Sequence, residues 1–125
     1  EGFGWWQGDK DRYNEGHALQ YEKNLVHLIK TLRQEFKAPN AKFVVATLGQ
    51  TAKDTAQGNE KLILEAQLAV DGNSGKYPEF KGNVTTVYTH PLSQGGASNS
   101  HYNGNSQTYM DVGLAMGEAM VELSK

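Results

Sequence analysis

Cysteine is absent from the 125 residues, and that absence removes disulfides, thiolate metal sites and a cysteine nucleophile together. It leaves the compartment open. An excess of charge of one sign is also missing: 12 Lys and Arg stand against 14 Asp and Glu, a formal net charge of −2. A chain that tracks a phosphate backbone carries a basic stripe, so nucleic acid is not an expected partner. No apolar run approaches the ~18 residues that a membrane-crossing helix requires, so no membrane partner is expected either. There is no internal repeat and no low-complexity tract. What remains is an ordinary globular composition, 38% apolar with 14 glycines, in a length that suits one domain. A chain of this size buries roughly two-thirds of its unfolded surface and supports a core without staples.

Metal and cofactor signatures are lacking as well. His17 and His27 stand ten residues apart on different faces of one helical stretch, and no His-Glu-x-x-His motif occurs. The run Gly2-Phe3-Gly4-Trp5-Trp6-Gln7 lacks the third glycine of a dinucleotide fingerprint, and no Gly-x-Ser-x-Gly elbow is found. No metal and no cofactor is expected.

Hydrophobic periodicity organises the chain into short apolar runs and longer helical stretches. Phe3 to Gln7, aromatic and flanked by glycine, reads as a buried strand at the very start of the chain. From Asn14 to Lys37, Leu19, Leu25, Leu28, Ile29, Leu32 and Phe36 recur at helical steps, with Lys23, Lys30, Arg33 and Glu35 largely on other faces. Ala38-Pro39-Asn40 ends that helix. Phe43 to Leu48 is continuous and apolar, as in a parallel strand buried on both faces. A second helix spans Asn59 to Val70, closed by Asp71-Gly72-Asn73-Ser74-Gly75. Val84 to Tyr88 is β-branched and aromatic, hence a third strand. His90 to Gly104 is a long polar loop, after which Asn105-Ser106 can cap a last helix carrying Tyr109, Val112, Met116, Met120 and Leu123. The order β-α-β-α-β-loop-α predicts an α/β fold: a parallel sheet with flanking helices, strands neighbouring in sequence order.

Ligands of open parallel sheets bind beyond the carboxyl ends of the strands. Two segments there carry unusual residues. Trp5-Trp6-Gln7-Gly8-Asp9 combines aromatics, an amide with two N–H donors suited to an oxyanion, and a permissive glycine. The loop Ser93 to Gly104 holds His101, a residue type able to act as a general base near neutral pH. The bland alternatives are a core tryptophan pair before a solvated turn, and a surface histidine. Ser93, Ser98 or Ser100 beside His101 would suit an unrelated serine enzyme. Trp5, Trp6, Tyr88 and Tyr102 could stack on sugar faces in a non-catalytic binding module.

Taken as a pair, Trp5-Trp6-Gln7-Gly8-Asp9 and His101-Tyr102-Asn103-Gly104-Asn105, the latter followed by Tyr109 and Gly113-Leu114-Ala115-Met116-Gly117, resemble the carbohydrate-esterase branch of the SGNH (GDSL-like) hydrolases. That branch includes sialic-acid-specific acetylesterases and acetylxylan esterases, and the resemblance runs over essentially all 125 residues. It implies a flavodoxin-like, three-layer α/β/α sandwich and an acetylated carbohydrate as substrate. By the same resemblance His101 is the general base, Gln7 the oxyanion donor, and Trp6, Gly8, Tyr102 and Asn103 line the substrate. A secreted or periplasmic location would follow only from the resemblance.

Two departures stand out. The family's nucleophilic serine lies in a Gly-Asp-Ser or Gly-Gln-Ser segment after its first strand, and this sequence has no counterpart. The acid that often stands three residues before the histidine is here Ser98, which leaves Asp9 as the remaining acid candidate. Residues 1–125 are therefore expected to be the C-terminal part of a larger esterase domain. Such a part would expose its first strand and form a homodimer, or pair with the missing N-terminal half, through that edge.

Overall fold

The computed structural model describes residues 1–125. Three parallel strands, β1 (Gly2–Trp6), β2 (Lys42–Ala46) and β3 (Val84–Val87), lie in the order β1-β2-β3. The register is continuous, with Phe3 opposite Phe43 and Phe43 opposite Val84. The three α-helices are α1 (Glu15–Glu35), α2 (Gly58–Ala69) and α3 (Ser106–Ser124). Helices α1 and α2 pack against each other over one face, while α3 covers β2 and β3. The chain is thus an α/β sandwich of flavodoxin-like order.

The alternation of strand side chains divides the two faces. Phe43 and Val45 join Ala18, Leu25, Ile29, Ile63 and Phe80 in the main core. Val44 and Ala46, on the opposite pleat, face α3 and are equally buried. The uninterrupted apolar run of β2 is thereby explained: it is the one strand with neighbours on both edges and helices on both faces.

The first strand is not the buried strand its aromatic run suggests but the exposed edge expected of a chain part; none of its five residues is fully shielded. It hydrogen-bonds to β2 on one side only. The β3 edge is closed differently, because the Asp71 carboxylate accepts from Thr86 N at 2.8 Å and from Thr85 Oγ1 at 3.0 Å. Arg33 also departs from a solvated helix face. Its guanidinium donates to the Ala41 carbonyl and to Asn83 Oδ1 (2.8 Å each from NH2) and lies over the Phe80 ring. Burial lowers its pKa.

Helix ends follow local chemistry. Asn14 Oδ1 accepts from His17 N and Asn105 Oδ1 from Thr108 N, each satisfying a free N–H of the first turn. At the other end of α1, Ala38 N bonds to Arg33 O and Lys37 N to Gln34 O. That pair is a Schellman closure with Lys37 in the left-handed region at φ 50°. The segment expected to be one open loop, 90–104, instead contains two short helical turns, His90–Leu92 and Ser98–Gly104.

Candidate active site

The carboxyl ends of β1 and β2 and the 98–104 segment enclose a cavity of about 350 Å³. Trp6, Gln7, Gly8, Asp9, His101 and Tyr102 all line it, with Lys10, Leu48, Ser98 and Tyr109. Six of the seven sequence-predicted site residues therefore meet at one place. Asn103 is the exception. Its Nδ2 donates to the Gly95 carbonyl, so it closes the loop on itself.

The aromatic wall is built by stacking. The Trp6 and Tyr102 rings are stacked with centroids 5.5 Å apart, and Tyr109 meets both edge-on, at 5.6 and 5.9 Å. Trp6 Nε1 donates to the Thr47 carbonyl at 3.1 Å, which fixes the indole across the end of β2. Tyr102 is buried, and its hydroxyl accepts from Gly49 N at 3.2 Å. Burial raises the pKa of this phenol. A side chain at Gly49 would meet Ser93 Oγ and Tyr102, so only glycine permits that approach.

His101 sits on strained backbone. His101, Tyr102 and Asn103 occupy the left-handed region consecutively, with φ of 51°, 53° and 50°. Non-glycine residues pay roughly 1–2 kcal/mol each for that conformation, so the surroundings must hold it. The anchored Tyr102 ring and the Asn103–Gly95 bond do so from within the loop. The His101 ring itself is exposed and takes no hydrogen bond; the residue's carbonyl accepts from Tyr109 OH at 3.2 Å.

A polar chain ties this loop to the turn after β1. Gln50 Nε2 donates to Ser98 Oγ (3.0 Å), and Ser98 Oγ donates to Asp9 Oδ1 (2.6 Å). Arg12 Nε donates to the same oxygen at 2.9 Å, and Arg12 NH1 reaches Glu60 Oε1 at 2.8 Å. Burial works against the Arg12 charge, but its bonds to Asp9 and Glu60 leave its pKa raised. Position 98 thus carries no acid of its own. It holds a carboxylate supplied from position 9. The Asp9–Ser98 contact spans 89 positions, which is why no spacing in the sequence signals it.

Gln7 is only partly available as a donor. Its Nε2 donates to Asp11 Oδ2 at 2.6 Å, which leaves one N–H free. Its carbonyl is held from below: Tyr21 OH donates to it at 2.6 Å and Gln67 Nε2 at 3.0 Å. Neither Tyr21 nor Gln67 was singled out by motif, although both are buried polar groups on otherwise apolar helix faces. Burial raises the Tyr21 pKa. The loop serines do not assemble a nucleophile with His101. Ser93 Oγ donates to Thr89 O, Ser98 Oγ to Asp9 and Ser100 Oγ to Ala97 O.

Residues 1–122 match the sequence model of a family described as carbohydrate esterase, sialic acid-specific acetylesterase. Among solved structures, the chain is similar to a protein from Arabidopsis thaliana. The TM-score is 0.66 and the identity 24%, over 99% of this chain and 44% of that one. At that identity the likeness concerns the fold, and the chain spans less than half the length of this neighbour. No curated protein sequence matches at a significant level.

Proposed function

Because this chain belongs to the carbohydrate-esterase family of sialic acid-specific acetylesterases, we propose that it forms the base and oxyanion side of an SGNH-type O-acetylesterase site. The substrate class is an acetylated carbohydrate. The observation that carries the reading is the meeting of Gln7, Asp9 and His101 around one aromatic-walled cavity, although Gln7 and His101 lie 94 positions apart in sequence.

In this reading a hydroxyl nucleophile from outside residues 1–125 attacks the acetyl carbon as its proton passes to His101. The carbonyl π pair moves onto oxygen, where the free Gln7 N–H stabilises it. Collapse of the tetrahedral species re-forms the carbonyl and expels the sugar oxygen, which takes the proton back from His101. Water, deprotonated by the same imidazole, then adds to the acetyl-nucleophile ester and releases acetate and the free hydroxyl. Asp9, whose Oδ1 is fixed by Ser98 and Arg12, keeps Oδ2 for the imidazole. That contact forms when the exposed ring swings inward, since catalytic hydrogen bonds commonly tighten only in the complex.

The test is hydrolysis of p-nitrophenyl acetate by the chain alone. With no nucleophile among the residues around His101, the rate is expected to equal that of His101→Ala. Robust His101-dependent turnover with an acylated serine would overturn the proposal. The Trp6–Tyr102–Tyr109 cluster favours a second reading, a non-catalytic module that binds sugar by stacking. Calorimetric binding of an acetylated sugar that Tyr109→Ala abolishes and His101→Ala leaves intact would favour that reading.

A further inference from the structure

The two bonds that hold the Gln7 carbonyl also orient the peptide that follows. Tyr21 OH and Gln67 Nε2 approach from α1 and α2, beneath the sheet face opposite α3. The chain contains no cis peptide. In a planar trans unit the N–H of one residue points opposite the carbonyl of the residue before it. With the Gln7 carbonyl drawn toward the α1–α2 side, the Gly8 N–H is turned toward the other side. There the aromatic wall and His101 stand, and Gly8 itself lines the cavity.

Gly8 is buried, yet its N–H donates to no protein acceptor. Buried backbone donors are almost always paired, so an unpaired one in a cavity wall calls for a reason. The local conformation is also specific to glycine. Its φ is 149°, and a Cβ would lie 3.2 Å from Ile63 Cγ2 and 3.4 Å from Gln67 Nε2. Gln67 is fully buried and leaves its own Oε1 without a partner while its Nε2 serves Gln7 and Tyr21. An unpaired buried acceptor is costly, and the two bonds made by Nε2 help to offset that cost.

We propose that the Gly8 N–H is an oxyanion donor, and that Tyr21 and Gln67 are the positioning residues that aim it. The inference rests on the esterase reading of the cavity and adds a donor to it. The Gln7 side chain has one N–H committed to Asp11; the Gly8 N–H supplies the second hydrogen bond to the acyl oxygen. That oxygen is neutral in the bound ester and anionic once the nucleophile has added to carbon. A backbone donor fixed from behind needs no rearrangement as the charge develops.

The experiment is an acetate titration of the 15N-labelled chain, followed by amide correlation spectra at constant ionic strength against chloride. Acetate is the probe because its oxygens mimic the acyl oxygen. A saturable downfield shift of the Gly8 amide is expected, and its loss in Tyr21→Phe. The remainder of the Tyr21→Phe spectrum reports whether the fold is intact. Should that variant unfold, Gln67→Glu serves in its place, since it removes the donor at the same position and size. No shift at Gly8, a shift confined to surface amides such as Lys10, or an undiminished shift in a folded variant would each overturn the proposal. Repeating the titration on His101→Ala separates the two readings. A retained Gly8 shift there keeps the donor assignment even if the chain proves to have no part in ester hydrolysis.

Discussion

At the scale of single residues, the side chains that matter most at the site are the ones that hold others still. Ser98 is the sharpest case, because its hydroxyl links Gln50 to the Asp9 carboxylate. Ser98→Ala is expected to cost about 1.5–3 kcal/mol, the range for a hydrogen bond to a charged group. It should also speed amide exchange across 98–104, and Ser98→Thr, which keeps the hydroxyl, should restore both. Urea unfolding and hydrogen exchange measure the two effects. A second expectation concerns Tyr77, which donates to Glu22 Oε2 at 2.5 Å. Burial, with Glu22 alongside, raises its pKa to about 12. A folded pKa above the unfolded value of about 10 means the native state holds the proton more tightly. The associated stability is therefore complete below pH 10 and lost as pH rises from 10 toward 12. Tyr77→Phe should flatten that part of the stability–pH curve. An unchanged alkaline slope would exclude Tyr77 as its source.

At the scale of elements, strain and its relief explain the carboxyl end of α1 and the histidine loop. Lys37 adopts φ 50° only to close the helix, and glycine reaches that region without a Cβ penalty. Lys37→Gly is expected to stabilise the chain by about 1 kcal/mol, read as a higher urea midpoint with unchanged slope. The left-handed run His101–Asn103 will not respond in the same way. Its strain is held by the Tyr102 ring between Trp6 and Tyr109. Tyr102→Ala, which empties a buried aromatic site, should cost about 3–5 kcal/mol and release the histidine from the cavity. Much of the element layout was legible in advance. The strands, the helix ends shortly before Pro39 and Asp71, and the Asn105 cap all follow from local chemistry. The short turns within 90–104 were not, because they are held by contacts to Gly49, Gln50 and Asp9 rather than by their own sequence.

For the whole molecule, the unbalanced feature is one side of the sandwich. The outer edge of β1 is unpaired, and α3 turns Met110, Leu114 and Val121 to solvent, each about 60% exposed. The two surfaces are continuous: Met116 and Met120 reach over Gly4 and Gly2, and Tyr109 touches Trp6, one step around the helix from the exposed stripe. A strand added parallel to β1 would end beside Gln7 and Gly8, at the mouth of the cavity. We expect the isolated chain to self-associate through this side. Sedimentation at micromolar concentration should show a species heavier than the monomer. Leu114→Glu with Val121→Glu should return it to monomer without loss of helix content. A monomeric parent chain with Trp5 and Trp6 shielded from quenchers would refute the expectation.

The parallel α/β order, the helix limits and the pair of segments that hold Gln7 and His101 are legible in the residues alone. Those follow from periodicity, capping and the φ limits of proline and glycine, all of which act over a few residues. Folding is what brings Asp9 to the histidine loop through Ser98 and turns Asn103 back to Gly95. It also sets Tyr21 and Gln67 against the Gln7 carbonyl. Each of these is a hydrogen bond set by packing between separate segments. Such partners, 8 to 89 positions apart, leave no periodic trace, because what selects them is the shape of the space between the segments.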